Sequence, residues 1–139
     1  MLILDTNVVS ELMRPEPDMA VWVWMSRQVP ASLHTTSITF AEILYGLTLL
    51  PESRRRQGLL VAVGRIFAEQ FQGRILSFDE NAAPDYAALM AERRRLGRPI
   101  ALLDAQIAAI ARRQKAMVAT RNVKDFEDCG IGVVNPWEL

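Results

Sequence analysis

At 139 residues, half of them hydrophobic, the chain has material for one folded domain with a proper core. Lys plus Arg and Asp plus Glu both number 16, so the formal net charge is zero. That excludes a protein that coats nucleic acid by bulk charge, and any nucleic-acid contact has to be local or metal-assisted. The single cysteine, Cys129, excludes an internal disulfide and predicts a reducing, cytoplasmic setting. No apolar run suits a membrane helix, and no basic segment marks a signal peptide.

Leu2, Ile3 and Leu4 form a short apolar run that predicts a buried parallel strand. Asp5 ends that run, and Thr6, Asn7 and Ser10 then offer local side-chain hydrogen bonds. In open α/β sheets, ligands sit outside the carboxyl ends of the strands. An acid at the first residue past a strand is therefore placed to handle a metal or a phosphate. A capping role for Asp5 is the plainer alternative. After Pro15 and Pro17, Glu16–Gln28 is predicted helical. Trp22 and Trp24 are assigned to the core by default, with a subunit contact as the alternative. Leu33–Ile38 is the second predicted strand, and its lone His34 is assigned a structural role.

Thr39–Leu50 is predicted as a helix, with Phe40, Ile43, Leu44, Leu47 and Leu50 on one side. Glu42 lies off that stripe, with Gly46 one turn on. Such a glycine has a use if another backbone approaches this face. The alternative makes Thr39 and Glu42 a capping box. Spacing alone leaves both readings open. Glu52–Gln72 follows as a helix with Arg54, Arg55 and Arg56 in its first turns. These oppose the helix dipole, so they predict a solvated face, with phosphate contact as the alternative.

Arg74–Phe78 is a third strand, and Asp79 is the expected cap of a helix reaching Leu96. Arg93, Arg94 and Arg95 complement the dipole at its end. Ile100–Lys115 is predicted helical, with Leu103, Ile107 and Ile110 as its core stripe. Asp104 lies on another face beside Ala108 and Ala111, whose small side chains leave room for a ligand. Met117–Thr120 is a fourth strand, Arg121–Asp128 carries Asn122 and Asp125, and Ile131–Val134 is a short fifth strand.

This alternation predicts an α/β fold with a largely parallel sheet and helices on both faces. Folding in that pattern can gather Asp5, Glu42, Asp104 and either Asn122 or Asp125 into one crevice. Three or more carboxylates repel each other, and some protonate unless a cation intervenes. Hard oxygen ligands suit Mg²⁺ or Mn²⁺. Phosphodiester hydrolysis is the chemistry that uses such a site.

Four blocks carry a family resemblance: Leu4–Leu12 (LDTNVVSEL), Ile38–Leu47 (ITFAEILYGL), Arg98–Ala111 (RPIALLDAQIAAIA) and Val118–Trp137 (VATRNVKDFEDCGIGVVNPW). The sequence resembles PIN-domain nucleases, specifically VapC-type toxins of bacterial toxin–antitoxin pairs in the branch that includes FitB. The resemblance implies one three-layer α/β/α PIN-like domain over residues 1–139, with about four to five mainly parallel strands. It implies that Asp5, Glu42 and Asp104 are the acidic metal-binding triad, with Thr6 and Thr120 orienting the acids. The family's fourth acidic position falls on Asn122, which offers only a neutral oxygen, and Asp125 is the nearby acid that can compensate. The resemblance further implies Mg²⁺- or Mn²⁺-dependent cleavage of RNA, a homodimer, and neutralisation by a small VapB-like antitoxin. Operator DNA would be bound only through that antitoxin. One alternative is a non-catalytic PIN-like module that acts mainly in the antitoxin–operator complex. Another is an aspartyl-phosphate phosphatase, which needs a second acid where this chain has Asn7.

Overall fold

The computed structural model describes residues 1–139. Five short strands make one parallel sheet: β1 (Leu2–Leu4), β2 (Leu33–Thr36), β3 (Ile75–Leu76), β4 (Met117–Ala119) and β5 (Val133–Val134). Their spatial order is β3-β2-β1-β4-β5. The register sets Leu2 beside both Leu33 and Met117, and Leu4 beside Ala119. The chain moves outward from β1 in one direction through β2 and β3, then returns to the other side for β4 and β5. The switch point lies between β1 and β4, and parallel α/β sheets open a crevice at such a point. Asp5 and Thr120 are the first residues past those two strands.

Seven helices cover the sheet: α1 (Thr6–Leu12), α2 (Met19–Ser26), α3 (Ser37–Thr48), α4 (Arg54–Gln70), α5 (Ala83–Arg95), α6 (Leu102–Gln114) and α7 (Val123–Phe126). Two apolar cores result. In one, Ile3 and Val118 pack with Leu89, Ile107, Ile110 and Phe126 from α5, α6 and α7. In the other, Leu2 and Leu4 pack with Val8, Val9, Ile43, Val63 and Phe67 from α1, α3 and α4. Alternate residues of β1 thus feed opposite layers, which is why its whole run is apolar. Phe40 stacks on Phe67 with ring centroids 4.3 Å apart, joining α3 to α4. No helix is long and apolar enough to cross a membrane.

Several local expectations give way to tertiary geometry. The segment after Asp5 is a helix, α1, with Asp5 as its cap. The helix expected over Glu16–Gln28 is shortened to Met19–Ser26, because Asp18 Oδ1 accepts from Ala20 N–H and starts it there. Trp22 is 54% exposed on α2, so it is not a core residue, whereas Trp24 packs against the second core. Strand β2 stops at Thr36, two residues early, and Thr36 Oγ1 accepts from Thr39 N–H at 3.1 Å. Thr36 therefore caps α3, and the Thr39–Glu42 capping box does not form. No chain approaches Gly46, whose surroundings are open. Arg56 donates to Leu50 O at 3.2 Å at the end of α3, while Arg54 and Arg55 are exposed. Asp79 binds Asn81 N–H in the preceding turn, and α5 starts later, with Pro84 in its first turn. In the first turn of α6, Leu103 is 45% exposed, whereas Ala108 and Ala111 are fully buried. The small residues of α6 thus allow close packing and do not line open space.

Candidate active site

The site is built at the switch point. Asp5 N–H donates to Ala119 O at 3.0 Å, extending the β1–β4 ladder past the strand end. Asp5 is buried, and both of its carboxylate oxygens accept hydrogen bonds. Its Oδ1 accepts from Thr6 N–H at 2.8 Å, and its Oδ2 accepts from Thr120 Oγ1 at 2.8 Å and Asn7 Nδ2 at 3.3 Å. Thr120 Oγ1 in turn accepts from Asn122 N–H at 3.1 Å, and Asn7 Oδ1 accepts from Arg121 N–H at 3.1 Å. These bonds fix the turn after β4 against the start of α1. Burial pushes the Asp5 carboxyl above the ordinary carboxylate range; the Thr120 and Thr6 bonds act against that, and the Asp125 charge adds to it.

Glu42 comes from α3. Because α3 begins at Ser37, Glu42 lies more than a turn inside the helix, beyond reach of its N-terminus. Its Oε1 accepts instead from Thr6 Oγ1 at 2.9 Å, and that hydroxyl also meets Thr39 Oγ1 at 3.1 Å. Thr6 and Thr120 therefore each donate a hydroxyl hydrogen bond to one acid.

Asp104 lies in the first turn of α6, half-buried. Its carboxyl is pushed up to about 6, first by burial, then by the charges of Asp5, Asp125 and Glu42, with the Arg93 guanidinium opposing. Four acids thus share one electrostatic neighbourhood. They do not close on one point, since no three of them are grouped tightly enough to ligate one ion directly. Asn122 is exposed at the start of α7 and lines a groove with Asp125. His34 is engaged with Ser32 O at 3.0 Å within its own segment.

Arg93 lies in the last turn of α5 with Arg94 and Arg95, where a cation complements the dipole, but it alone of the three is buried. Its Nε donates to Arg98 O at 2.6 Å, and its Nη1 donates to Asp125 O and Glu127 O, both at 2.9 Å. It ties the end of α5 to α7 and the loop that follows it. One signal was present: three consecutive helical residues point about 100° apart, so one of Arg93, Arg94 and Arg95 is turned inward.

The donor set suits a divalent cation. It consists of hard carboxylate oxygens whose mutual repulsion is opposed by one guanidinium. Mg²⁺ keeps several of its waters and needs only one or two protein carboxylates directly. Spacing too wide for three direct ligands is compatible with that mode.

Residues 2–130 match the PIN domain family. The chain belongs to the PIN-domain family. This PIN domain is 41% identical over 138 residues to the VapC ribonuclease Y4jK of Sinorhizobium fredii, covering 99% of each chain. It is 36% identical over 137 residues to toxin FitB of Neisseria gonorrhoeae, again covering 99% of each. The solved structure of FitAcB from Neisseria gonorrhoeae superposes with a TM-score of 0.93 over 100% of both chains. The PIN domain therefore falls among VapC- and FitB-type toxins.

Proposed function

We propose that this PIN domain is a Mg²⁺- or Mn²⁺-dependent endoribonuclease, the toxin of a toxin–antitoxin pair. The observation that carries the reading is Asp104, held above the ordinary carboxylate range by burial and by three other acids at a sheet switch point. Negative charge concentrated where α/β sheets bind ligands calls for a cation. A bound Mg²⁺ or Mn²⁺ would lower the pKa of a water and neutralise charge at the scissile phosphate.

Each residue of the chain then has a task. Asp5 and Asp104 would hold the ion. Glu42 would join them or position the attacking water, with Thr6 donating to its carboxylate. Thr120 and Asn7 hold the Asp5 carboxylate in place through Oδ2. Asn122 contributes a neutral oxygen, and Asp125, one turn of α7 away, supplies the charge that Asn122 lacks.

Structures similar to this chain include FitAB bound to a DNA fragment, which superposes with a TM-score of 0.93 and is 36% identical. By the same likeness, a cognate VapB-like antitoxin neutralises this protein and carries operator DNA contact, and two copies of the toxin pair in the complex. The second reading is a non-catalytic PIN-like module in that complex, motivated by the neutral net charge and by Asn122 at the family's fourth acidic position.

The test is purified protein with RNA in Mg²⁺ or Mn²⁺. RNA cleavage that chelator abolishes and that Asp104→Asn lacks supports the nuclease. Absence of cleavage, together with no metal binding by calorimetry, leaves the non-catalytic module standing.

A further inference from the structure

We propose that the groove between α7 and the C-terminal segment is a binding site for the RNA backbone beside the cut. This rests on the ribonuclease reading and names where its substrate lies. The groove has a volume of about 410 Å³, within the range of pockets that take small organic molecules. Its lining includes Asn122 and Asp125 from the candidate site, then Arg121, Lys124, Asn135 and Glu138. It therefore shares Asn122 and Asp125 with the candidate site and carries two cations.

Several basic side chains of the surface are neutralised by acids. Arg14 pairs with Glu11, Arg98 with Glu127 and Asp128, and Arg112 with Asp85 and Glu92. Arg121 and Lys124 form no ion pair, and Glu138 shares their groove without pairing to either. Arg121 is nonetheless held in place. Its guanidinium lies 5.1 Å from the Trp137 ring centroid, and its backbone N–H is fixed by Asn7 Oδ1 at 3.1 Å. Trp137 is itself anchored, with its backbone N–H donating to Asn135 Oδ1 at 3.0 Å and its ring packed on the second core.

A guanidinium stacked on an aromatic ring keeps its N–H edge free for the two oxygens of a phosphate. Orientation by the ring removes part of the ordering cost of binding. The chain has no bulk positive charge, so RNA affinity has to come from such local contacts. The contacts go to phosphate and not to base edges, so this site positions the strand without reading its sequence.

The experiment is fluorescence anisotropy of a labelled single-stranded RNA with the full chain, in chelator and across a salt series. Arg121→Gln and Lys124→Gln are each expected to weaken binding by on the order of tenfold. Each should also lower the slope of log K against log salt by about 0.7, the value of one single-strand phosphate contact. Arg121→Lys, which keeps the charge, should retain the slope. Arg113→Gln makes the same charge change at the far end of α6 and should match wild type.

Binding and slope in both groove variants equal to those of Arg113→Gln would overturn the proposal. Weakened inhibition by an antitoxin with unchanged RNA binding would overturn it too. If wild type cuts RNA while the variants bind normally, the groove alone fails. If wild type neither binds nor cuts RNA, the ribonuclease reading fails with it.

Discussion

Thr120 Oγ1 donates to Asp5 Oδ2 at 2.8 Å, although 115 positions separate them in sequence. The bond joins the carboxyl ends of β1 and β4, the strands that flank the switch point. It acts on an acid that burial pushes toward protonation, and it favours the charged form. Thr120→Val removes the donor at nearly constant volume. The expected result is a fold that persists and a loss of cleavage and metal affinity of about 10- to 100-fold, the usual cost of removing a group that orients a metal ligand. Thr120→Ser restores the hydroxyl and should recover most of the loss. Calorimetric metal binding alongside cleavage assays checks this, and a fully active Thr120→Val would remove Thr120 from the site.

Asp104 links the site to stability. Its folded value of about 6 lies above the ordinary 3.8, so the folded state holds a proton that the unfolded chain has already released. Stability therefore falls as pH rises from about 4 through about 6, and the cost is fully present above that. Asp104→Asn removes the repelling charge. It should melt higher than wild type at pH 7.5 and nearly equal to it at pH 4, while cleaving at least about 100-fold more slowly. Thermal denaturation of both proteins across that pH range is the measurement.

A divalent cation should oppose the same repulsion. Mg²⁺ or Mn²⁺ is expected to raise the melting temperature of wild type at pH 7.5, because ligands that bind only the folded state stabilise it. The increment should shrink at pH 5, where Asp104 is mostly protonated, and in the Asp104→Asn variant. Equal increments in all three conditions would point to an ion bound elsewhere.

Arg93 should matter for the loop as much as for the fold. Arg93→Ala leaves the carbonyls of Arg98, Asp125 and Glu127 without their donor. Leaving an acceptor away from water without its donor typically costs about 1–3 kcal/mol. Urea unfolding reads the loss. Cys129, fully buried in the same loop and 3.7 Å from Arg93 Nη1, gives a second reading. Its reaction with a thiol reagent should accelerate in Arg93→Ala and by less in Arg93→Lys, which retains the charge.

Trp22 tests the exposed face of α2. Trp22→Gln should leave the melting temperature of the isolated chain nearly unchanged, since the side chain is 54% exposed. A loss of several degrees would show that the ring packs more deeply than its exposure indicates.

Much of the architecture was written into local pattern. The apolar runs at Leu2–Leu4 and Met117–Ala119, and the helical stripe of α3, were legible because burial on fixed faces imposes a period. The acids Asp5, Glu42 and Asp104 stood out for a related reason. Each is a charge where capping or solvation explains it incompletely, and the four matching blocks supplied the family. What sequence could not supply was contact across the chain. Thr39 and Glu42 had the spacing of a capping box, but β2 ended at Thr36, so the cap moved and Glu42 turned to Thr6. Arg93 looked like its two neighbours until packing selected it for burial. The small face of α6 looked open until the core closed on it. Local periodicity sets which residues form an element, because backbone geometry repeats every few positions. Which side chains meet depends on how elements cross, and distances between partners more than a hundred positions apart are fixed only when the sheet is assembled.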